Sequence, residues 1–403
     1  MAADDGLRPM TRADIPHDWD PHGDQTIADP QAELARLRAG CPVAGSQNWG
    51  GFYTLTKYDD VVTASRDPES YTATVQTVIP ASPRKGLPRL PLQKDPPESN
   101  RYRKGLNLFF KENRIRALET PLRDMAAGMM NDLRAADPAE FGTHFAAPFT
   151  VGSICVLAGM DMAEADELGR LSHAYVPAVQ TGDLATAGDL SRQIDGFAME
   201  LVRDRMAAPR DPEVDMVSGL MQYDAEGGPF DFTELAGMVR LMLIGGHVVP
   251  RNFLCSMAWH LAQDQDLQDR LRAGTVDQRL LIDEMLRCYS PNQALVRVAT
   301  HDTEMRGTTI PQGCPVALNF LSANRDEDVF PDPMTFIEDR SPNRHIAFGI
   351  GPHMCLGQSV AKLQARITLD ALAALPRFHV GERVHWARWT EYGVTLLDLR
   401  FDA

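Results

Sequence analysis

The sequence predicts a mainly α-helical protein with a minor β part, folded as one large unit. Three observations carry that reading. Residues 100–290 are dominated by helical periodicity. The stretch FTELAGMVRLMLIGGHVVPRNFLCSMAWHLAQDQ, from Phe232 to Gln265, is one long and mostly apolar helical pattern. It is too long and too hydrophobic for a surface helix, so it is expected to cross the core. Short strand-like pieces stand elsewhere: GFYTLTKYDDVVTAS early on, brief strands and turns over 293–340, and VTLLDLRF in the tail. The expected organisation is a flexible N-terminal arm over 1–25 and a single domain over 26–403.

The totals narrow the function classes. Of 403 residues, 44% are hydrophobic and 24% charged, an ordinary globular composition. The net charge of −15 argues against nucleic acid as the main partner, because phosphate binding wants clustered Lys and Arg. No run of about 20 apolar residues suggests a membrane span. The polar N-terminal sequence lacks a hydrophobic signal core, which points to the cytosol. The Pro-rich stretch VIPASPRKGLPRLPLQKDPPE is long for an ordinary connection, so it is functional or mobile.

Six cysteines are widely scattered, with no CxxC or metal-finger spacing. A disulfide framework is not expected at this size and compartment. Most read as small buried hydrophobes. Cys355 is different, because it sits in FGIGPHMCLG, residues 348–357. Leu356, Val360, Leu363 and Ile367 mark an amphipathic helix starting at about Cys355. A thiol there meets unpaired N–H groups and the positive end of the helix dipole, which stabilise a thiolate. Gly349, Gly351 and Gly357 lack Cβ atoms, so a large flat body can approach the backbone. A heme is such a body, and thiolate ligation favours O–O cleavage.

This stretch resembles the heme-binding signature of the cytochrome P450 family, F-G-x-G-x-H-x-C-x-G. The fixed positions are met by Phe348, Gly349, Gly351, His353, Cys355 and Gly357. The resemblance implies a triangular, prism-like fold. In it, heme b (iron protoporphyrin IX) lies between a long central helix and the cysteine loop with its following helix. Cys355 would be the iron ligand. Glu284 and Arg287 in DEMLRC, with Arg340 ending FIEDR, are similar to the family's Glu–Arg–Arg structural network. ANRDEDVFPDP, residues 323–333, is also typical, and the resemblance spans roughly residues 25–400. The two heme propionates need cationic partners. Arg103 in DPPESNRYRK, Arg297 in LVRVAT and His345 in NRHIAFG match the family's propionate contacts. Ser99 stands where many members have histidine.

The central helix departs from the family pattern [A/G]-G-x-[D/E]-T, whose acid and alcohol organise proton delivery. Gly245 and Gly246 match the small pair, but Val248 replaces the acid and Val249 the alcohol. Neither valine donates a proton. Pro250 removes a backbone N–H and crowds the Gly246 carbonyl, so a kink is expected there. His247 and Asn252 are the polar residues left to handle protons; the alternative for His247 is a histidine satisfied against a neighbouring helix. Three readings stay open. The first is a monooxygenase that draws protons from substrate, His247 or water. The second is altered oxygen activation by peroxide, coupling, desaturation or nitration. The third is a non-catalytic heme-binding scaffold.

The resemblance further implies a ferredoxin and its reductase as electron donors. They would dock on a basic face drawn from Arg101, Lys104, Lys111, Arg114, Arg344, Lys362 and Arg366. The two valines suggest a small, mostly apolar organic substrate. Its contacts would come from Val75–Arg89, Tyr175–Thr181, Gly245–Val249, Ala294–Val296 and Tyr392–Val394.

Overall fold

The long apolar pattern folds as helix, but in two pieces. A computed structural model, which describes residues 15–81, 86–162, 165–387 and 389–402, has helices at Phe232–Gly245 and Val248–Gln263. The first starts on a capping box. The Glu234 amide donates to Asp231 at 2.8 Å, and the Asp231 amide donates to Glu234 at 2.9 Å. Between the pieces, His247 leaves helical geometry at φ −134°. Pro250 accounts for the break. It offers no N–H to the Gly246 carbonyl, and its ring would strike that carbonyl in a continuous helix. Counted from Val248, Pro250 lies in a first turn, where proline is tolerated. One unbroken helix to Gln265 is therefore corrected to two segments, with the opening at the place the proline predicts.

End to end, Phe232–Gln263 is long and apolar enough to cross a membrane by length and composition. Half of its most apolar window is nevertheless buried inside the fold. Leu243, Leu254, Met257 and Leu261 are fully shielded. The helix Ala147–Ala158 packs beside it and is apolar on nearly every face. Phe141, Phe145 and Phe149 stack along this region at 5.1 Å between successive rings. A smaller, separate cluster of Leu171, Tyr175, Leu190 and Ile194 joins helix Ala165–Thr181 to Leu184–Ala207.

Strands from the early stretch and from 293–340 meet in one sheet, ordered Val43–Ser46, Phe52–Leu55, Pro315–Asn319, Ala294–Ala299, Tyr71–Thr72. Phe52–Leu55 runs parallel to Pro315–Asn319, while the other pairs are antiparallel. A second sheet pairs Ala139–Glu140 with Gly393–Phe401, and that strand with Phe378–Ala387. The start of Gly393–Phe401 rests on the central helix, where the Val394 amide donates to Ser256 Oγ at 2.9 Å. Part of the expected N-terminal arm is also packed. Ile15 and Trp19 are buried, and Trp19 sets its edge against Trp389 at 5.2 Å. Packing thus begins before residue 26, and residues 1–14 lie outside the described residues.

Glu284, on helix Gln278–Tyr289, anchors the segment below the cysteine loop. Its carboxylate accepts two hydrogen bonds from Arg287 at 2.8 Å and one from the Ile337 amide at 2.9 Å. Arg340 Nε approaches both oxygens at 3.1–3.2 Å. Burial alone would raise this carboxyl, but the bonds from Arg287 and Ile337 hold it below its ordinary range. Arg287 also donates to the Asn324 carbonyl, and Asn324 Oδ1 accepts from the Ile346 amide at 2.7 Å. The network thereby reaches the loop that ends at Cys355.

Both Arg287 and Glu284 side chains have no solvent exposure. Arg287→Ala strands a buried charge and is expected to cost about 3–5 kcal/mol. Denaturant unfolding followed by circular dichroism checks this, and an unchanged midpoint would refute it. The glycine pair makes a second, finer contrast. A Cβ on Gly246 would collide with Ile154 and come within 2.9 Å of the Met242 carbonyl, whereas one on Gly245 meets nothing within 4 Å. Gly246→Ala should therefore lose about 1–3 kcal/mol, and Gly245→Ala should be near neutral in the same assay.

Candidate active site

A cavity of about 330 Å³ lies between the central helix and the cysteine loop. The loop is shaped by its glycines. Gly349 at φ +69° and Gly351 at φ +77° occupy backbone conformations that side chains disfavour. At Gly351 a Cβ would also come within 2.8 Å of the Ser65 carbonyl. The Cys355 amide closes the loop by donating to the Phe348 carbonyl at 2.9 Å. Helix Gln358–Ala373 then begins, with Gly357 as its N-cap. The helix therefore starts a few residues later than the apolar spacing suggests.

Of the six cysteines, Cys355 lines this cavity. Its side chain is accessible, but only to the hollow inside the protein. Burial pushes the thiol up, and the Gly357 amide and Arg103 pull it back. A coordinated cation would remove the proton outright. Cys155, Cys255, Cys288 and Cys314 are buried.

Arg103 and Arg297 both face the cavity. Arg297, on strand Ala294–Ala299, is 3% exposed. Burial pushes its guanidinium down to about 10. It donates to its neighbouring Val296 carbonyl at 2.8 Å, and Arg103 donates to the Met354 carbonyl at 2.8 Å. Among the described residues, neither guanidinium pairs with a carboxylate. His353 lines the same wall and meets Asp95 at 3.1 Å. A sulfur, one buried and one half-buried guanidinium that pair with no carboxylate among the described residues, and a glycine-lined loop converge on one hollow. That set fits a heme with its two carboxylates.

Phe348, Gly349, Gly357, Gly246 and Val249 also line the cavity. Four expected site residues do not. His345 instead faces Asp283 at 3.5 Å, an acid that Lys362 also holds. Val248 is buried in the protein. His247 is fully buried and lies 6.0 Å from His173, ring to ring. Among the described residues neither of its ring nitrogens has a partner in hydrogen-bonding geometry, although the Leu243 backbone acts on it. Burial, then His173 and Arg251, pushes His247 down to about 3, so it is neutral. Asn252 also turns away from the cavity and donates to Glu391 at 2.6 Å.

Some lining residues were missed from the sequence, chiefly Met238 and Met242 on the first half of the central helix. With Gly245 and Val249 they follow a 4-3-4 spacing, so one helical face would have marked them. The expected substrate stretches contribute Gly245, Gly246, Val249 and Leu295, but not Tyr175–Thr181 or Tyr392–Val394. Residues 82–85 of the stretch Val75–Arg89 lie outside the described residues. Of the expected docking cations, Arg101, Lys104, Lys362 and Arg366 each pair with an acid.

Comparison with known proteins agrees with this geometry. A family model of cytochrome P450 matches residues 279–382. Cytochrome P450 109 of Bacillus spizizenii is 31% identical over 80% of this chain and 78% of its own. The steroid C26-monooxygenase of Mycolicibacterium smegmatis is 30% identical over 86% of this chain and 85% of its own. A myxobacterial cytochrome P450 solved with myristic acid superimposes with a TM-score of 0.84 at 28% identity, covering 94% of this chain and 98% of that one. The chain belongs to the cytochrome P450 family of heme-thiolate oxidoreductases.

Proposed function

We propose that this monooxygenase inserts one oxygen atom from O2 into a C–H bond of an aliphatic, lipid-like substrate. Two electrons come from a reductase by way of its ferredoxin, and two protons carry the second oxygen away as water. The single observation carrying this reading is the cavity that Cys355 shares with an apolar wall of Met238, Met242 and Val249. Apolar burial is worth about 25 cal/mol per Å², so such a wall rewards a hydrocarbon chain. The names of two relatives point the same way, one acting on a steroid and one solved with a fatty acid.

Each part has a separate task. Heme, when bound, supplies the oxygen-activating chemistry. Cys355 would ligate it, and Arg103 and Arg297 would neutralise its carboxylates. His353 is held in place by Asp95. Gly245 leaves open space, so substrate can approach closely. Val249 and the neighbouring aliphatic side chains exclude water from the reacting carbon.

For the electron donor, the support is a surface hollow lined by Arg116, Arg279, Lys362 and Arg366, with Glu112 and Glu119 among them. Lys362 and Arg366 project from the helix that follows Cys355. A second reading, peroxide as oxidant, is favoured by one feature. Val249 faces the cavity where the family pattern carries an alcohol.

A direct comparison separates the two oxidants. With a ferredoxin, its reductase and O2, a fatty acid or steroid is expected to yield hydroxylated product. Product with hydrogen peroxide alone, and none with the electron chain, would reverse the assignment. For the cofactor site, Cys355→Ser should abolish the long-wavelength Soret band of the reduced carbonyl complex. Arg297→Gln should keep that band but speed heme loss to apomyoglobin about tenfold, as expected for one charge-assisted hydrogen bond.

A further inference from the structure

Oxygenase chemistry consumes protons, yet the central helix turns glycine, valine and proline toward the cavity. Behind that wall stands a buried acid. Glu391 accepts from Asn252 Nδ2 at 2.6 Å and is almost wholly shielded from solvent. Asn252 Oδ1 is buried and has no partner among the described residues. Glu391 is also bridged through backbone to Asn292. Asn292 and Pro291 line the cavity. Their neighbour Gln293, and Tyr392 beside Glu391, line a second hollow of about 670 Å³ that also includes Asp29. Glu391 is thus joined by its bridge partner to one hollow and by its sequence neighbour to the other.

Burial pushes the Glu391 carboxyl up to about 7. Asn252 and the Arg251 guanidinium oppose that rise only in part. Arg251 is the charged group acting on it from the helix, while the 291–293 strip offers only Asn292 and Gln293, neither ionisable. Near neutrality both forms of the acid are populated, the condition for a group that gives and regains a proton.

We propose that Glu391 is the proton store of this enzyme, passing its proton toward the cavity through water held by Asn252 and Asn292. The inference rests on the monooxygenase reading. In the step, the Glu391 O–H bond breaks and a water accepts the proton. Solvent water in the outer hollow restores it, and no electron moves. Asn252 is a positioning residue that fixes the carboxyl.

Infrared difference spectra of the substrate-free holoenzyme, between about pH 5 and pH 9, test this. The wild type is expected to show a carboxylic C=O band that fades with a midpoint near 7. Glu391→Gln should lack that band and form about tenfold less product per electron, the remainder appearing as peroxide. Glu391→Asp should recover part of the coupling. If Glu391→Gln folds poorly, Asn252→Ala should shift the band's midpoint and lower coupling. Absence of a titrating band, or unchanged coupling in Glu391→Gln, overturns the proposal. The reduced carbonyl spectrum of the same samples separates the two failures. A thiolate band retained in wild type and variant confines the failure to the relay, and its absence from wild type defeats the oxygenase reading itself.

Discussion

The carboxylate of Glu284 ties together parts of the chain that are distant in sequence. Arg287 sits one helical turn away, and Arg340 arrives from an irregular segment more than fifty residues on. The Ile337 amide and Asn343 side chain bind the same carboxylate. Irregular backbone has no ladder of its own to hold it, so its polar groups need side-chain partners. The two arginines supply them by donating to the carbonyls of Asn324, Pro331, Asp332 and Thr335. The cysteine loop is therefore hung from a rigid helix. That loop must hold one sulfur at a fixed place, and a loop left to itself would not.

A second constraint is electrostatic. The buried Arg297 and the half-buried Arg103 guanidinium groups face the cavity, and neither pairs with a carboxylate among the described residues, an arrangement that costs free energy in an apolar setting. A dicarboxylate ligand cancels that cost. Cofactor binding and folding are then coupled, since a ligand that binds only the folded chain stabilises it. The fold holds a deficit that its cofactor fills.

Much of the site was legible in the sequence, and for stated reasons. The Cys355 loop was readable because glycines at fixed spacings serve a geometric need. The helix break at Gly246 was readable because proline has one consequence in a helix. Arg297, singled out through the family resemblance, stands on strand Ala294–Ala299 and faces the cavity. Side-chain direction was less legible. His247 and Asn252 lie on the right helix, but the break turns both from the cavity. His345 stands near the right segment, yet Asp283 takes it. Glu391 drew no notice, because an acid in a turn reads as solvated until the fold buries it. The loose N-terminal arm failed in the same way: Trp19 finds its partners, Phe52 and Trp389, only in three dimensions.

The strand that starts at Gly393 is clasped to the central helix. Val394 is bonded to Ser256, the Thr395 carbonyl accepts from Arg251, and a Cβ on Gly393 would strike Ser256 Oγ at 2.8 Å. The back of the central helix is thereby held fast. The helices Ala165–Thr181 and Leu184–Ala207 have a small cluster of their own and join the main core through Leu168, Ala198, Leu201 and Val202. Local opening is cheapest where an element shares the fewest buried contacts with the rest. Local opening is therefore expected on the helical side before the side where strand Gly393–Phe401 is fastened to the central helix.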